Sequence, residues 1–218
     1  PPVLLDRNGE AITSEYLNIE PGTVEITVPI YKTKKMNLTV EFINTPRGFP
    51  LEELEYNLSQ NAIMVAASPD IIDNQDEIVI GPIDFRNIDI GQEFTLEVSL
   101  PAGFTNMENV TSVTVTFPTA GFTSRTYTIP RSNIVLENIP SGFSAEVVPQ
   151  SLNNVKIVGE ASVMEDLTAD DLVVTVDLSQ VTQERGQYTV SARVYCQNNV
   201  LAWAVGDYTT TVNLTANQ

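Results

Sequence analysis

One short pattern, Asn-x-Pro-x-Gly-Phe, is written twice in this chain of 218 residues, as Asn44 to Phe49 in "INTPRGF" and Asn138 to Phe143 in "ENIPSGF". Pro46 matches Pro140, Gly48 matches Gly142 and Phe49 matches Phe143, each pair 94 apart (140 − 46). Ser68 matches Ser162 at the same offset, and "PIDFRNI" then meets "TVDLSQV", with Asp84 on Asp177 at an offset of 93 (177 − 84). "GQEFTLEV" next aligns with "RGQYTVSARV", and "SVTVTF" with "TTTVNL". Order, spacing and apolar phase persist over about 75 residues, which is the mark of a duplicated structural unit and not of a chance turn. The duplication divides the chain into residues 29–121 and 122–218. Residues 1–28 read as the tail of an upstream unit or an N-terminal hairpin, with an Asn8-Gly9 turn, a Pro21-Gly22 turn and the alternating strand "TVEITV". On that reading the chain is a piece of a longer tandem array.

The repeated unit is all-β. Apolar and polar residues alternate in "NLTVEF" (Leu38, Val40, Phe42), "EFTLEVSL" (Phe94, Leu96, Val98, Leu100) and "SVTVTF" (Val113, Val115, Phe117). The same period runs through "RTYTI", "QYTVSARVY" and "TTTVNL", with Thr on the solvent face. A period of two puts alternate side chains on opposite faces, as strands require. Helical spacing is confined to "SPDIIDNQ" and "ASVMEDLTADDL", where Ser68 and Ser162 are the expected caps and Pro69 suits a first helical position. Each unit is therefore expected to be a small β domain of short hairpins with one helical turn.

Acids number 28 against 11 Lys and Arg, a net charge of −17. Such a surface repels phosphate backbones and anionic head groups, which excludes nucleic acid and direct membrane-surface binding as the expected functions and favours a soluble monomer. Histidine is absent, which removes the commonest general base and metal ligand. Cys196 alone cannot make an intrachain disulfide, and its phase along "QYTVSARVYC" turns it inward. No run of 18 apolar residues occurs, and no signal peptide is legible.

On these residues the repeat resembles the YbbR domain. The corner "N-x-P-x-G-[FY]", the apolar strands "AIMVAAS" and "VKIVGEAS", and "IDFRNI" with "VDLSQV", similar to a Val-Asp-Leu-Ser-Gly signature, recur in order in both copies. The first copy departs at Phe85-Arg86-Asn87, and Ala66-Ala67 and Gly159-Glu160 stand where the family more often has glycine-proline. The signature residues of the two copies are Asn44, Pro46, Gly48, Phe49 and Asp84, then Asn138, Pro140, Gly142, Phe143 and Asp177. The resemblance implies partly crossed β-hairpins, as in a ribosomal RNA-binding protein whose activity the acidity argues against carrying over. It also implies a non-catalytic role, with domains held outside the bacterial cytoplasm by an N-terminal membrane helix and regulating a membrane-bound diadenylate cyclase in cyclic di-AMP signalling.

Individual polar residues have plainer readings. Asp84 and Asp177 are expected to end strands and accept backbone N–H groups two residues on, the alternative being a recognition carboxylate. The acids of "SPDIIDNQDE" and "EDLTADD" lack the spacing of a calcium loop and read as solvated turns. No Ser, Thr or Cys has an evident activating base, so no catalytic, metal or cofactor residue is assigned. Trp203 is expected to pack, the alternative being a partner anchor. The expected role is a binding and regulatory module for a protein partner, with a passive surface spacer or adhesive array as the alternative.

Overall fold

The computed structural model describes residues 3–217 except 15, 17–22, 24, 26–27 and 199–200. In chain order the first half carries β1 (Lys32–Ile43), β2 (Asn57–Leu58), β3 (Ala62–Ala67), α1 (Pro69–Ile72), β4 (Glu77–Asp84), β5 (Glu93–Glu97), β6 (Thr105–Asn106) and β7 (Ser112–Thr116). The second half carries β8 (Phe122–Pro130), β9 (Ile134–Glu137), β10 (Phe143–Val147), β11 (Ser151–Glu160), α2 (Ala161–Asp166), β12 (Leu172–Asp177), β13 (Gly186–Cys196), β14 (Ala202–Val205) and β15 (Tyr208–Ala216). The fold is all-β.

In the first half, sheets run β4-β1-β3-β6 and β2-β7-β5. β1 pairs antiparallel with β3, Lys32 opposite Ala67, and parallel with β4, Ile43 opposite Asp84. A parallel pair needs a crossover, and β3 with α1 supplies it. Met36, Ile63, Val65, Ala67, Ile72 and Ile78 close over this connection as a buried core, and Leu38 of the alternating "NLTVEF" joins them on the inward face of β1.

The second half follows the same order with two differences, a split counterpart of β1 and a pairing of β12 with β13 that the first half does not make between β4 and β5. Its sheets run β14-β11-β8 and β10-β15-β13-β12-β9. The counterpart of β1 is split, because Pro130 closes β8 and Arg131–Asn133 form a single 3-10 turn before β9. Proline has no N–H to donate to a ladder, so the strand changes sheets at that point. β8 pairs antiparallel with β11 and β9 runs parallel to β12. Ile129, Val155, Ile157, Met164, Val174, Val176 and Val212 lie at the centre of this half's core.

The helical turns correct one detail of the repeat. Ser68 holds the N-cap position of α1 without a side-chain cap bond, and Pro69 is its first residue. The N-cap of α2 is Glu160, not Ser162, which lies inside the helix. Cap now matches cap at an offset of 92 (160 − 68), and the buried helix residues Ile72 and Met164 match at the same offset (164 − 72). Packing, which the apolar residue must satisfy, sets this register; the serine does not.

Near the N-terminus Leu5 bridges Ala11 around the Asn8-Gly9 turn, and Asp6 Oδ1 accepts the N–H groups of Asn8 and Glu10 at 2.8 and 2.9 Å. The Pro21-Gly22 turn, Val24 and Ile26 lie outside the described residues, as does Asn199 of the turn before Trp203; Val28 is described and is not in a strand. Among the described residues no helix is long and apolar enough to cross a membrane.

Candidate functional site

The repeated corner has the same geometry in both halves. After β1 and β9 the chain turns at Asn44 and Asn138, whose φ values are +56° and +54°. Asparagine tolerates this left-handed region better than most residues. Phe49 N–H then donates to Pro46 O, and Phe143 N–H to Pro140 O, both at 3.1 Å. Gly48 and Gly142, third in these turns, have φ of +74° and +82°, the positive value a type II turn demands and only glycine adopts freely.

The asparagine of each corner reaches the aspartate that ends the neighbouring parallel strand, β4 or β12. Asn44 Nδ2 donates to Asp84 Oδ2 at 3.0 Å, and Asn138 Nδ2 to Asp177 Oδ1 at 2.8 Å. Each aspartate also closes an Asx turn: Arg86 N–H donates to Asp84 at 3.0 Å and Ser179 N–H to Asp177 at 2.9 Å. One bond thus ties the corner to the strand end beside it, and the other holds the turn that follows the aspartate. The side-chain bond from Asn138, followed by the Ser179 N–H, holds the Asp177 carboxyl below its ordinary value. For Asp84 the Arg86 side chain is the largest cause of the same shift. Phe49 and Phe143 are half-buried and not at the centre of a core.

The copies differ where the halves meet. Phe85 and Arg86 stand in the first copy where the second has Leu178 and Ser179, and Arg47 stands where it has Ser141. Phe85 joins Leu54, Ile83, Ile88, Val115 and Phe117 in a cluster completed by Val158 and Trp203 of the second half. Trp203 is 3% exposed, and its indole N–H donates to Ile88 O across the joint at 2.8 Å. Around it stand Phe49 at 5.7 Å, Phe85 at 5.7 Å and Phe122 at 5.9 Å between ring centroids, the first two edge-on, a favourable aromatic geometry. Arg86 is pinned between Asp84 and Asp207 of the second half, the latter at 2.5 Å, and Gly206 N–H donates to Arg86 O at 2.8 Å. Lys156 meets Asp89 at 2.5 Å. The tryptophan packs, and what it packs against is the other repeat.

Beside this joint lies a cleft of about 450 Å³ between the first corner and the outward face of the five-stranded sheet. Its floor is Thr175 and Arg193, opposite each other on β12 and β13. Asn44 to Arg47, with Arg86 and Asp207, form the wall. Of the signature residues the cleft gathers Asn44 and Pro46; Asn138, Pro140, Gly142, Phe143 and Asp177 are not among its lining. Sequence reasoning singled out neither Arg47 nor Arg193, and the available signal was the departure of the first copy from the second at "PRG" and "FRN".

Elsewhere the acids are spent locally. Asp73 and Asp76 pair with Lys32 and Lys34 of β1, at 2.5 and 2.8 Å, and Asp171 closes a capping box with Thr168. Among the described residues no group of three or more acid or cysteine side chains is gathered as a metal site. Burial pushes the Cys196 thiol up to about 12, which leaves it protonated and unreactive.

No protein-family model matches the chain, and no curated protein does. Solved structures do. A YbbR-like protein from Streptococcus pneumoniae shares 14% identity over 89% of this chain and 100% of its own, with a TM-score of 0.33. A YbbR-like domain from Listeria monocytogenes shares 17% over 44% of this chain and 96% of its own, TM-score 0.31. Domain IV of a YbbR family protein from Desulfitobacterium hafniense shares 19% over 39% and 83%, TM-score 0.28. The solved proteins to which this chain is similar are YbbR-like, the family that its repeated corner resembles.

Proposed function

We propose that the chain is a non-catalytic binding and regulatory module, the extracytoplasmic part of a membrane-tethered regulator that acts on a diadenylate cyclase by protein contact. The observation that carries the reading is the repeated corner: the residues that make the resemblance, Asn44 with Asp84 and Asn138 with Asp177, bond to each other. They hold shape in both copies and leave recognition to the surface of a two-repeat body. A net charge of −17 favours a protein partner over nucleic acid or lipid. The full gene product, expressed with the membrane-bound diadenylate cyclase of the same bacterium, is expected to alter cyclic di-AMP levels and to co-purify with the enzyme in detergent. Unchanged nucleotide without association overturns the reading.

A spacer or adhesive array is favoured by one observation, the aromatic joint, which stiffens the pair as a spacer requires. Replacing one repeat by an unrelated rigid domain of equal length separates the two. A spacer survives the exchange, and a regulator loses its effect on the cyclase.

A further inference from the structure

We propose that the cleft between the halves is a binding site for a small oxyanion, a ligand bearing carboxylate or phosphate groups. Three of the chain's 11 cationic residues, Arg47, Arg86 and Arg193, line it, against two acids, Glu137 and Asp207. The rest of the chain has 8 cations (11 − 3) for 26 acids (28 − 2). The lining itself holds more cations than acids, with Asp84 and Asp177 just outside it, where the rest of the surface is strongly acidic; low-dielectric walls focus the field of such groups inside a cleft.

The arginines have different duties. Arg86 is held by Asp84 and Asp207, so its charge is matched and it builds the wall. Arg47 and Arg193 make no ion pair or hydrogen bond to a described residue, although both line the same recess. The acids in the lining are Glu137 and Asp207, the latter paired with Arg86, and Arg193 also acts on Asp177, which already accepts from Asn138 and Ser179. A guanidinium presents a planar fork of donors suited to two oxygens of a carboxylate or phosphate. Thr175, Ser191 and Thr209 add hydroxyls. The volume of about 450 Å³ suits a small molecule.

Placement agrees with charge. The corner cations of the first copy, Arg47 and Arg86, are serines in the second, Ser141 and Ser179. The first corner lines the cleft, and the described residues of the second corner do not. Cations are written into the repeated pattern where the recess forms.

The site stands independently of any effect on a cyclase and is tested on the purified chain. Citrate and inorganic phosphate are titrated separately by calorimetry, at an ionic strength held constant with potassium chloride. Saturable binding of one anion per chain is expected, weakened about tenfold or more in Arg47→Gln and in Arg193→Gln, since each removes a charge-assisted contact. Arg193→Lys keeps the charge and is expected to retain part of the affinity. Arg125→Gln, exposed on β8 outside the cleft, is expected to bind like the parent. A preference for citrate or for phosphate assigns the ligand's class. No saturable heat with either anion, or parental affinity in both Arg47→Gln and Arg193→Gln, overturns the proposal.

Discussion

At the scale of the residue, Asp84 shows how one carboxylate can serve several bonds. It accepts from Asn44, from the N–H of Arg86 and from the Arg86 guanidinium, and its side chain is only 16% exposed. Asp84→Ala removes all of these, and loss of a comparable cap costs about 0.5–2 kcal/mol; urea unfolding at neutral pH is expected to show a midpoint lowered accordingly. The same carboxylate sets a pH dependence. Its folded pKa lies below the ordinary 3.8, chiefly through the Arg86 side chain. A depressed carboxylate contributes stability above its unfolded value and loses it as pH falls through the folded one. The deficit of Asp84→Asn is therefore expected to be full at pH 7 and to close below about pH 4. A deficit that persists undiminished at pH 2 would refute the assignment. The Asx turn was legible in the sequence, because it joins residues two apart. The Asn44 brace was not, since it spans 40 positions that only the parallel pairing of β1 with β4 brings together.

At the scale of the element, β11 and β14 approach each other closely. Val158 faces Trp203 and Gly159 faces Ala202. A Cβ added at Gly159 would meet Ala202 Cβ at 2.7 Å, Leu201 O at 2.9 Å and Met164 Sδ at 3.0 Å. Two of those neighbours belong to the strand connection and the helix that the core already fixes, so Gly159→Ala is expected to destabilise by about 1–3 kcal/mol, as overpacking does. Thermal unfolding measures it, and a midpoint equal to the parent's would show that β14 can move aside. Among the neighbouring strands β13 was legible, because a period of two survives in Val190, Ala192 and Val194, whereas β14, with four apolar residues and no alternation, was not. Helix starts were less so. Ser162 is the better capping residue by type, yet α2 begins one residue after Glu160, because Met164 must point into the core. Burial of a large apolar side chain outweighs a single cap bond.

At the scale of the molecule, the two repeats share a core. The recurring corner was legible in the sequence and has the same geometry at both places, but the joint was not, because it is built from residues in which the two stretches differ. Phe85 and Trp203 could not be assigned to each other from spacing when 118 positions (203 − 85) separate them. The consequence is cooperativity. With Trp203 seated among Phe49, Phe85 and Phe122, opening either half exposes the other's apolar surface, so the described halves are expected to unfold together in one calorimetric transition. Trp203→Ala removes the ring and leaves Ile88 O without its donor, a loss of about 3–5 kcal/mol. That loss falls on the coupling as well as on the second half, and two transitions are expected in its place. Trp203→Phe keeps most of the packing and forfeits only the hydrogen bond, about 1–3 kcal/mol for the carbonyl left unpaired, and it is expected to keep a single, lower transition. If Trp203→Ala still melts in one step, with calorimetric and van't Hoff enthalpies equal, then the coupling resides in the Arg86–Asp207 and Lys156–Asp89 pairs. Exposed ion pairs of this kind contribute little and weaken with salt, so a single step that persists in high salt would place the coupling outside the joint altogether.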